Sequence, residues 1–124
     1  MRTTLALGFA VLLGAPTASS AQDPVPLYPE NYRVLFENDQ VRVLDFTLRK
    51  GVSEKAHFHP ANLAVFLADF KIRFTLPDGS TRMREGRPGE VAWSDAIVHS
   101  PVNVGGTDAH GILIELKTTP AGKK

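Results

Sequence analysis

A chain of 124 residues with 14 Lys and Arg against 13 Asp and Glu is long enough for one domain with its own core, and its flat charge balance argues against an electrostatic partner such as nucleic acid. It contains no cysteine. That excludes disulfides, thiol catalysis and Cys-ligated zinc or iron–sulfur centres, so stability has to come from apolar packing and ladder hydrogen bonds, with or without a bound metal.

The first residues read as a targeting segment. Met1-Arg2 gives a positive start, Leu5 to Ala15 is an apolar run too short to span a bilayer, and Ser19-Ser20-Ala21 supplies small residues for cleavage. The pattern predicts a secretory signal peptide over 1–21, cut after Ala21. The mature protein is then exported, periplasmic or secreted, with no stable membrane insertion. Arg2 is the only charge in this segment, so the mature chain is neutral.

Residues 22–31 carry Pro24, Pro26 and Pro29 and read as an extended lead-in. From Tyr32 the period becomes two. Strands are expected at Tyr32–Phe36, Val41–Arg49, Ala56–His59, Leu63–Leu67 and Lys71–Leu76, the last with Ile72, Phe74 and Leu76 on one face. Pro77-Asp78-Gly79-Ser80 is the strongest turn signal and joins Lys71–Leu76 to a polar strand near Thr81–Arg84 as a hairpin. Arg87-Pro88-Gly89-Glu90 and Gly105-Gly106-Thr107-Asp108 are further turns, around short strands at Val91–Trp93 and Val98–Val102. The final strand runs from His110 to Leu116, and 118–124 is a tail. No window carries a sustained helical period. Short strands between regular turns predict an all-β sandwich or barrel over 32–117.

The chemistry concentrates in the four histidines. His57 and His59 flank Phe58, and residues i and i+2 of a strand leave the same face. Pro60 keeps His59 out of the helical region, which enforces that geometry. Two imidazoles on one face suit a metal, and equally an edge strand with two hydrogen-bonded histidines. His99, taken alone, reads as a buried histidine bonded to a carbonyl as readily as a third ligand. His110 shares parity with Ile112, Ile114 and Leu116; if those face inward, His110 does too, as an acid–base candidate or a rim histidine. Trp93, Phe46, Phe66 and Phe74 are core candidates, and Arg82, Arg84 and Arg87 read as a solvated hairpin face.

Gly51-x5-His57-x-His59 resembles the first motif of the cupin superfamily, and Gly89-x9-His99-x3-Asn103 resembles its second. The hairpin Phe74–Ser80 and the closing Ile112–Lys117 are similar to those of small single-domain cupins, so the resemblance spans about Tyr32 to Lys117. It implies a single cupin-type double-stranded β-helix (jelly-roll) barrel, with His57, His59 and His99 as metal ligands and Gly51 and Gly89 in the turns before the motif strands. Two departures stand out. Leu63 and Ala64 occupy the place of the first motif's glutamate, so no fourth ligand is supplied. Asp95 and Ile97 replace the second motif's Pro-x-Gly.

The resemblance further implies a divalent metal ion as cofactor (Zn, Cu, Fe, Mn or Ni), a small-molecule ligand or substrate as partner, and a homodimer by analogy. Two functional classes follow. One is a metal-dependent enzyme of oxygenase, isomerase or hydrolase type acting on a small organic molecule, with His110 as its catalytic acid or base. The other is a non-catalytic module binding metal or a small ligand.

Overall fold

Alternating side chains separated by tight turns generate nine strands and one helical turn among the described residues, 22–117, of the computed structural model. The expected signal peptide and tail lie outside those residues. In chain order the elements are α1 (Pro24–Leu27), β1 (Tyr32–Glu37), β2 (Val41–Leu48), β3 (His57–His59), β4 (Asn62–Phe66), β5 (Phe70–Thr75), β6 (Thr81–Gly86), β7 (Val91–Ser94), β8 (Ile97–Asn103) and β9 (Ala109–Leu116). They form a five-stranded sheet of order β1-β2-β9-β4-β7 and a four-stranded sheet of order β3-β8-β5-β6, with every pairing antiparallel.

The turns follow their residues. Gly51, Gly79 and Gly89 all have positive φ (76°, 82° and 87°), the conformation that an L side chain resists. Asp78 Oδ1 accepts from the Ser80 N–H at 2.9 Å and closes the β5–β6 hairpin. Asn38 Oδ1 accepts from the N–H groups of Gln40 and Val41 and closes β1 onto β2.

The lead-in is not wholly extended. Pro24 to Leu27 form one helical turn, with Asp23 as N-cap accepting from the Val25 N–H at 3.1 Å. Proline has no N–H, and the first turn of a helix has no intrahelical use for one, so this proline-rich stretch suits a helix start.

The core lies between the sheets. Leu44, Phe46 and Leu48 of β2 meet Ala64 and Phe66 of β4, Phe70 and Ile72 at β5, and Ala109 of β9. Phe66 and Phe70 stack with centroids 3.8 Å apart, and Phe46 meets Phe66 edge-on at 6.2 Å. The β2–β9 register sets Leu44 opposite Leu113, Phe46 opposite Gly111 and Leu48 opposite Ala109. Opposed residues of an antiparallel pair share a face, so the inward face of β9 is Ala109, Gly111, Leu113 and Glu115. A Cβ on Gly111 would stand 2.6 Å from the Phe46 ring and 2.7 Å from the Val65 carbonyl oxygen. Only glycine lets β9 approach there.

Two expectations are corrected by parity. Ile112, Ile114 and Leu116 lie on the outward face of β9, and His110 lies there with them. Trp93 is 51 % exposed. The inward positions of β7 are Ala92 and Ser94, opposite Ala64 and Asn62. Of the phenylalanines expected in the core, Phe46 and Phe66 are buried and Phe74 is half-buried.

Candidate metal centre

Three histidines converge because β3 pairs with β8. His57 is directly opposite His99, and His59 is opposite Ile97 two residues along. The i and i+2 positions of β3 and the cross-strand neighbour of the first therefore project from one inner surface. Ring centroids are 4.9 Å apart for His57–His59, 4.9 Å for His57–His99 and 5.2 Å for His59–His99. Their ligand nitrogens all lie within 4.8 Å of one another. His57 and His59 are buried; His99 is half-buried and stacked on Phe74, with centroids at 4.8 Å.

The hydrogen bonds fix which nitrogen is free. His57 Nδ1 donates to the carbonyl oxygen of Lys55 at 2.9 Å. His59 Nδ1 donates to Glu115 Oε1 at 2.8 Å, while Glu115 Oε2 accepts from Arg42 Nε at 2.7 Å. Both Nδ1 atoms therefore carry their protons, and both Nε2 atoms present lone pairs. Those two Nε2 atoms face each other at 3.1 Å. In the neutral rings two lone pairs in that position repel, and either a proton or a metal ion between them relieves the repulsion. Nitrogens bound at about 2.1 Å to one ion are separated by roughly 3.0–3.4 Å across tetrahedral and octahedral edges, so the observed spacing fits a shared metal. Orientation of a ligand histidine by a carbonyl or carboxylate on its other nitrogen is the usual support for such a site.

Behind the rings lie polar groups that local sequence patterns do not reveal. Glu54 is buried and accepts from Asn31 Nδ2 at 2.7 Å and from the Tyr32 hydroxyl at 2.9 Å, with Oε2 3.6 Å from His57 Nδ1. Burial pushes its carboxyl up against the lowering effect of those two bonds. Arg42 bonds Glu115 through Nε and grips Asp23 through two nitrogens at 2.7 and 3.0 Å. Burial raises the Asp23 carboxyl, but Arg42 and the Val25 N–H outweigh it and hold the carboxyl low. A chain of charges thus runs from α1 to His59. Asp23 lies 19 residues from Arg42 and Glu115 lies 56 from His59, and no local pattern signals partners at such separations. The one sequence signal was parity: Glu115 shares the beat of Gly111 and Leu113.

Ala64, one of the two residues at the motif's glutamate position, faces inward, and Leu63 faces Trp93 on the other side. The cluster among the described residues is three histidines with no carboxylate ligand. Asn103 serves the scaffold: its Nδ2 donates to the carbonyls of Leu48 and Thr107, and its Oδ1 accepts from the Gly105 N–H. The structure does not bring His110 to the cluster. It borders no part of the cavity described below, and its Nε2 is 3.3 Å from Asp45 Oδ2 on the outward face.

Burial holds the His57 ring down to about pKa 4 and the His99 ring down to about 3, and the neighbouring imidazoles add to both effects. In the unfolded chain both rings titrate near 6.5. Between about pH 4 and 6.5 the unfolded state therefore binds more protons than the fold. Stability of the metal-free protein is complete above about pH 6.5 and falls as the pH drops, by up to about 2.7 kcal/mol per pH unit where both rings contribute. Urea unfolding with chelator present at pH 7, 6 and 5 checks this. Unchanged midpoints would mean that the rings are solvated.

A cavity of about 600 Å³ opens beside the cluster, bordered by His59 and His99, by aromatic and aliphatic side chains including Phe46, Phe66, Ile72 and Phe74, and by Arg82, Met83 and Arg84 of β6. Its size is that of small-molecule sites generally. Arg82 and Arg84 are exposed, in keeping with the solvated face read from sequence, and also border this cavity.

No protein-family model matches the sequence, and no curated protein matches it. Solved structures do. A cupin domain of Bordetella pertussis Tohama I superposes with a TM-score of 0.63 at 19 % identity, over 70 % of this chain and 92 % of that one. An RmlC-like cupin family protein with a double-stranded β-helix fold, from Methanocaldococcus jannaschii, gives 0.55 at 13 % identity, over 68 % and 77 %. The polyketide cyclase RemF of Streptomyces resistomycificus gives 0.54 at 22 %, over 72 % and 66 %. At these identities the likeness concerns the fold. The two sheets form a double-stranded β-helix, the cupin-type fold that the sequence motifs imply.

Proposed function

We propose that this protein is an exported cupin-type domain that binds one divalent metal ion through His57, His59 and His99 and brings a small organic molecule to it in the adjoining cavity. The observation that carries this reading is the convergence of three imidazoles whose ligand nitrogens lie within 4.8 Å of one another, two of them oriented by an acceptor on Nδ1. A bound ion there would act as a Lewis acid toward an oxygen of the molecule in the cavity. The protein's own contribution is to orient the rings through Lys55 and Glu115, and to hold the molecule against the Phe46, Phe66 and Phe74 walls away from water. Turnover on a solved relative's fold has a precedent in the polyketide cyclase. The cavity beside the histidines serves an enzyme and a non-catalytic small-ligand module alike, and turnover by the metal-loaded protein on a broad substrate panel separates the two.

An ion acquired after export follows the affinity order of imidazole sites, which favours copper and zinc over iron and manganese. Protein recovered from the exported fraction should have a mass starting at Gln22 and hold one zinc or copper per chain by elemental analysis. Chelator-stripped protein should take up one zinc and gain thermal stability by mass action, about 2.7 kcal/mol at a hundredfold excess over Kd. Iron as the dominant metal overturns the choice of ion, and failure to take up any divalent metal overturns the reading.

A further inference from the structure

The β5–β6 hairpin sorts its charges by face. Lys71 and Glu85 are cross-strand partners and approach to 3.8 Å on one side. Arg82 stands opposite Phe74 and Arg84 opposite Ile72, and all four residues border the cavity. Opposed residues share a face, so both guanidiniums emerge on the side that carries the apolar walls. Among the described residues neither arginine has a carboxylate within 4.0 Å. Asp95, the one carboxylate bordering the cavity, accepts from the Trp93 indole N–H at 3.0 Å. Asp78 senses the Arg82 charge but gives its Oδ1 to Ser80.

We propose that the cavity selects an organic carboxylate with an apolar body, whose carboxylate meets Arg82 and Arg84 and whose body lies against Phe46, Phe66, Ile72 and Phe74. The inference deepens the proposed function by naming the ligand class. It rests on the cavity being a binding site and is independent of the ion. The planar guanidinium fork matches a carboxylate with two parallel hydrogen bonds. A polyol would leave its hydroxyls unpaired on the aromatic walls, which costs more than the contacts return. An organic cation would meet two arginines against the single carboxylate of Asp95 and is disfavoured on balance.

Binding is read by calorimetry, since the single tryptophan of the chain, Trp93, is 51 % exposed and turned to the outer side of β7. Titrations use 4-phenylbutanoate, its neutral amide 4-phenylbutanamide and the cation 4-phenylbutylamine, on both zinc-loaded and chelator-stripped protein. The acid is expected to bind at least about tenfold more tightly than the amide, and the amine not to bind, since a hydrogen bond between two charged groups is stronger than one to a neutral acceptor. Arg82→Gln and Arg84→Gln should each weaken the acid about three- to tenfold, and the double variant should bind acid and amide equally. Zinc affinity should stay unchanged in all three.

Acid binding by stripped protein that takes up no zinc would sustain this inference while the metal reading failed. Equal binding of acid and amide by the unsubstituted protein would overturn it, as would acid preference surviving in the double variant or needing zinc. So would no binding of any probe.

Discussion

His99→Ala protein should fold and fail to hold zinc, with affinity lowered by about a thousandfold or more. Loss of a group that merely orients a ligand costs about ten- to a hundredfold, and this substitution removes one of three donors. The variant is clean because the His99 ring makes no side-chain hydrogen bond among the described residues; it is placed by its position opposite His57 and by its stack on Phe74. Alanine there strands no polar partner. It also removes one of the two rings held neutral by burial, so the acid sensitivity of the metal-free variant should fall to about half the original slope. His110→Ala is the matched control. Its imidazole lies on the outward face of β9 beside Asp45, and its loss should leave zinc affinity unchanged. Calorimetric zinc titration of the two stripped variants decides the matter. Near-native affinity in His99→Ala would remove β8 from the site, and a loss in His110→Ala would put that residue back into it.

The His57–His59 pair was legible because its geometry is local, whereas His99, brought in by the β3–β8 pairing, was reached only through the resemblance. His57-Phe58-His59-Pro60 sets two imidazoles on one face through strand periodicity alone, and turn glycines before each motif strand mark where those strands begin. What β9 does was legible only as an alternation. Both of its faces carry apolar residues, and Ile112, Ile114 and Leu116 are the bulkier set, so bulk points to the wrong side. The inner face uses Ala109 and Gly111 because Phe46 fills the space above them, and it ends in a glutamate because His59 needs an acceptor. Bulk tracks burial only where the facing strand leaves room. The same reason misplaces Trp93: β7 turns Ala92 and Ser94 inward and leaves its indole at the rim. Arg82 and Arg84 alternate with Met83 like any solvated strand, and only the pairing with Phe74 and Ile72 gives their direction.

Glu115→Gln should lower zinc affinity about ten- to a hundredfold and also destabilise the metal-free fold, for separable reasons. Glu115 is almost fully buried, with a side chain 2 % exposed, and its two oxygens serve different partners, His59 Nδ1 and Arg42 Nε. An amide in its place has one acceptor. If that oxygen serves His59, the amide NH2 confronts Arg42, and a half-buried guanidinium loses half its counter-charge. If it turns to Arg42, His59 Nδ1 faces a donor, the ring shifts toward its other tautomer, and Nε2 becomes protonated and unfit to bind metal. The first outcome costs stability, up to the 3–5 kcal/mol typical of breaking a buried pair, reduced here because Asp23 still grips Arg42. The second costs affinity. Urea unfolding of stripped protein reads the first, and the ring nitrogen chemical shifts of His59 read the second. Asp23→Asn should move both less, since its side chain is 43 % exposed and acts on His59 only through Arg42 and Glu115. A Glu115→Gln protein that keeps the Nδ1-protonated tautomer and binds zinc like the original would show that His59 is placed by its strand alone, and that the charges running from α1 to the cluster serve only to fasten the N-terminal segment to the barrel.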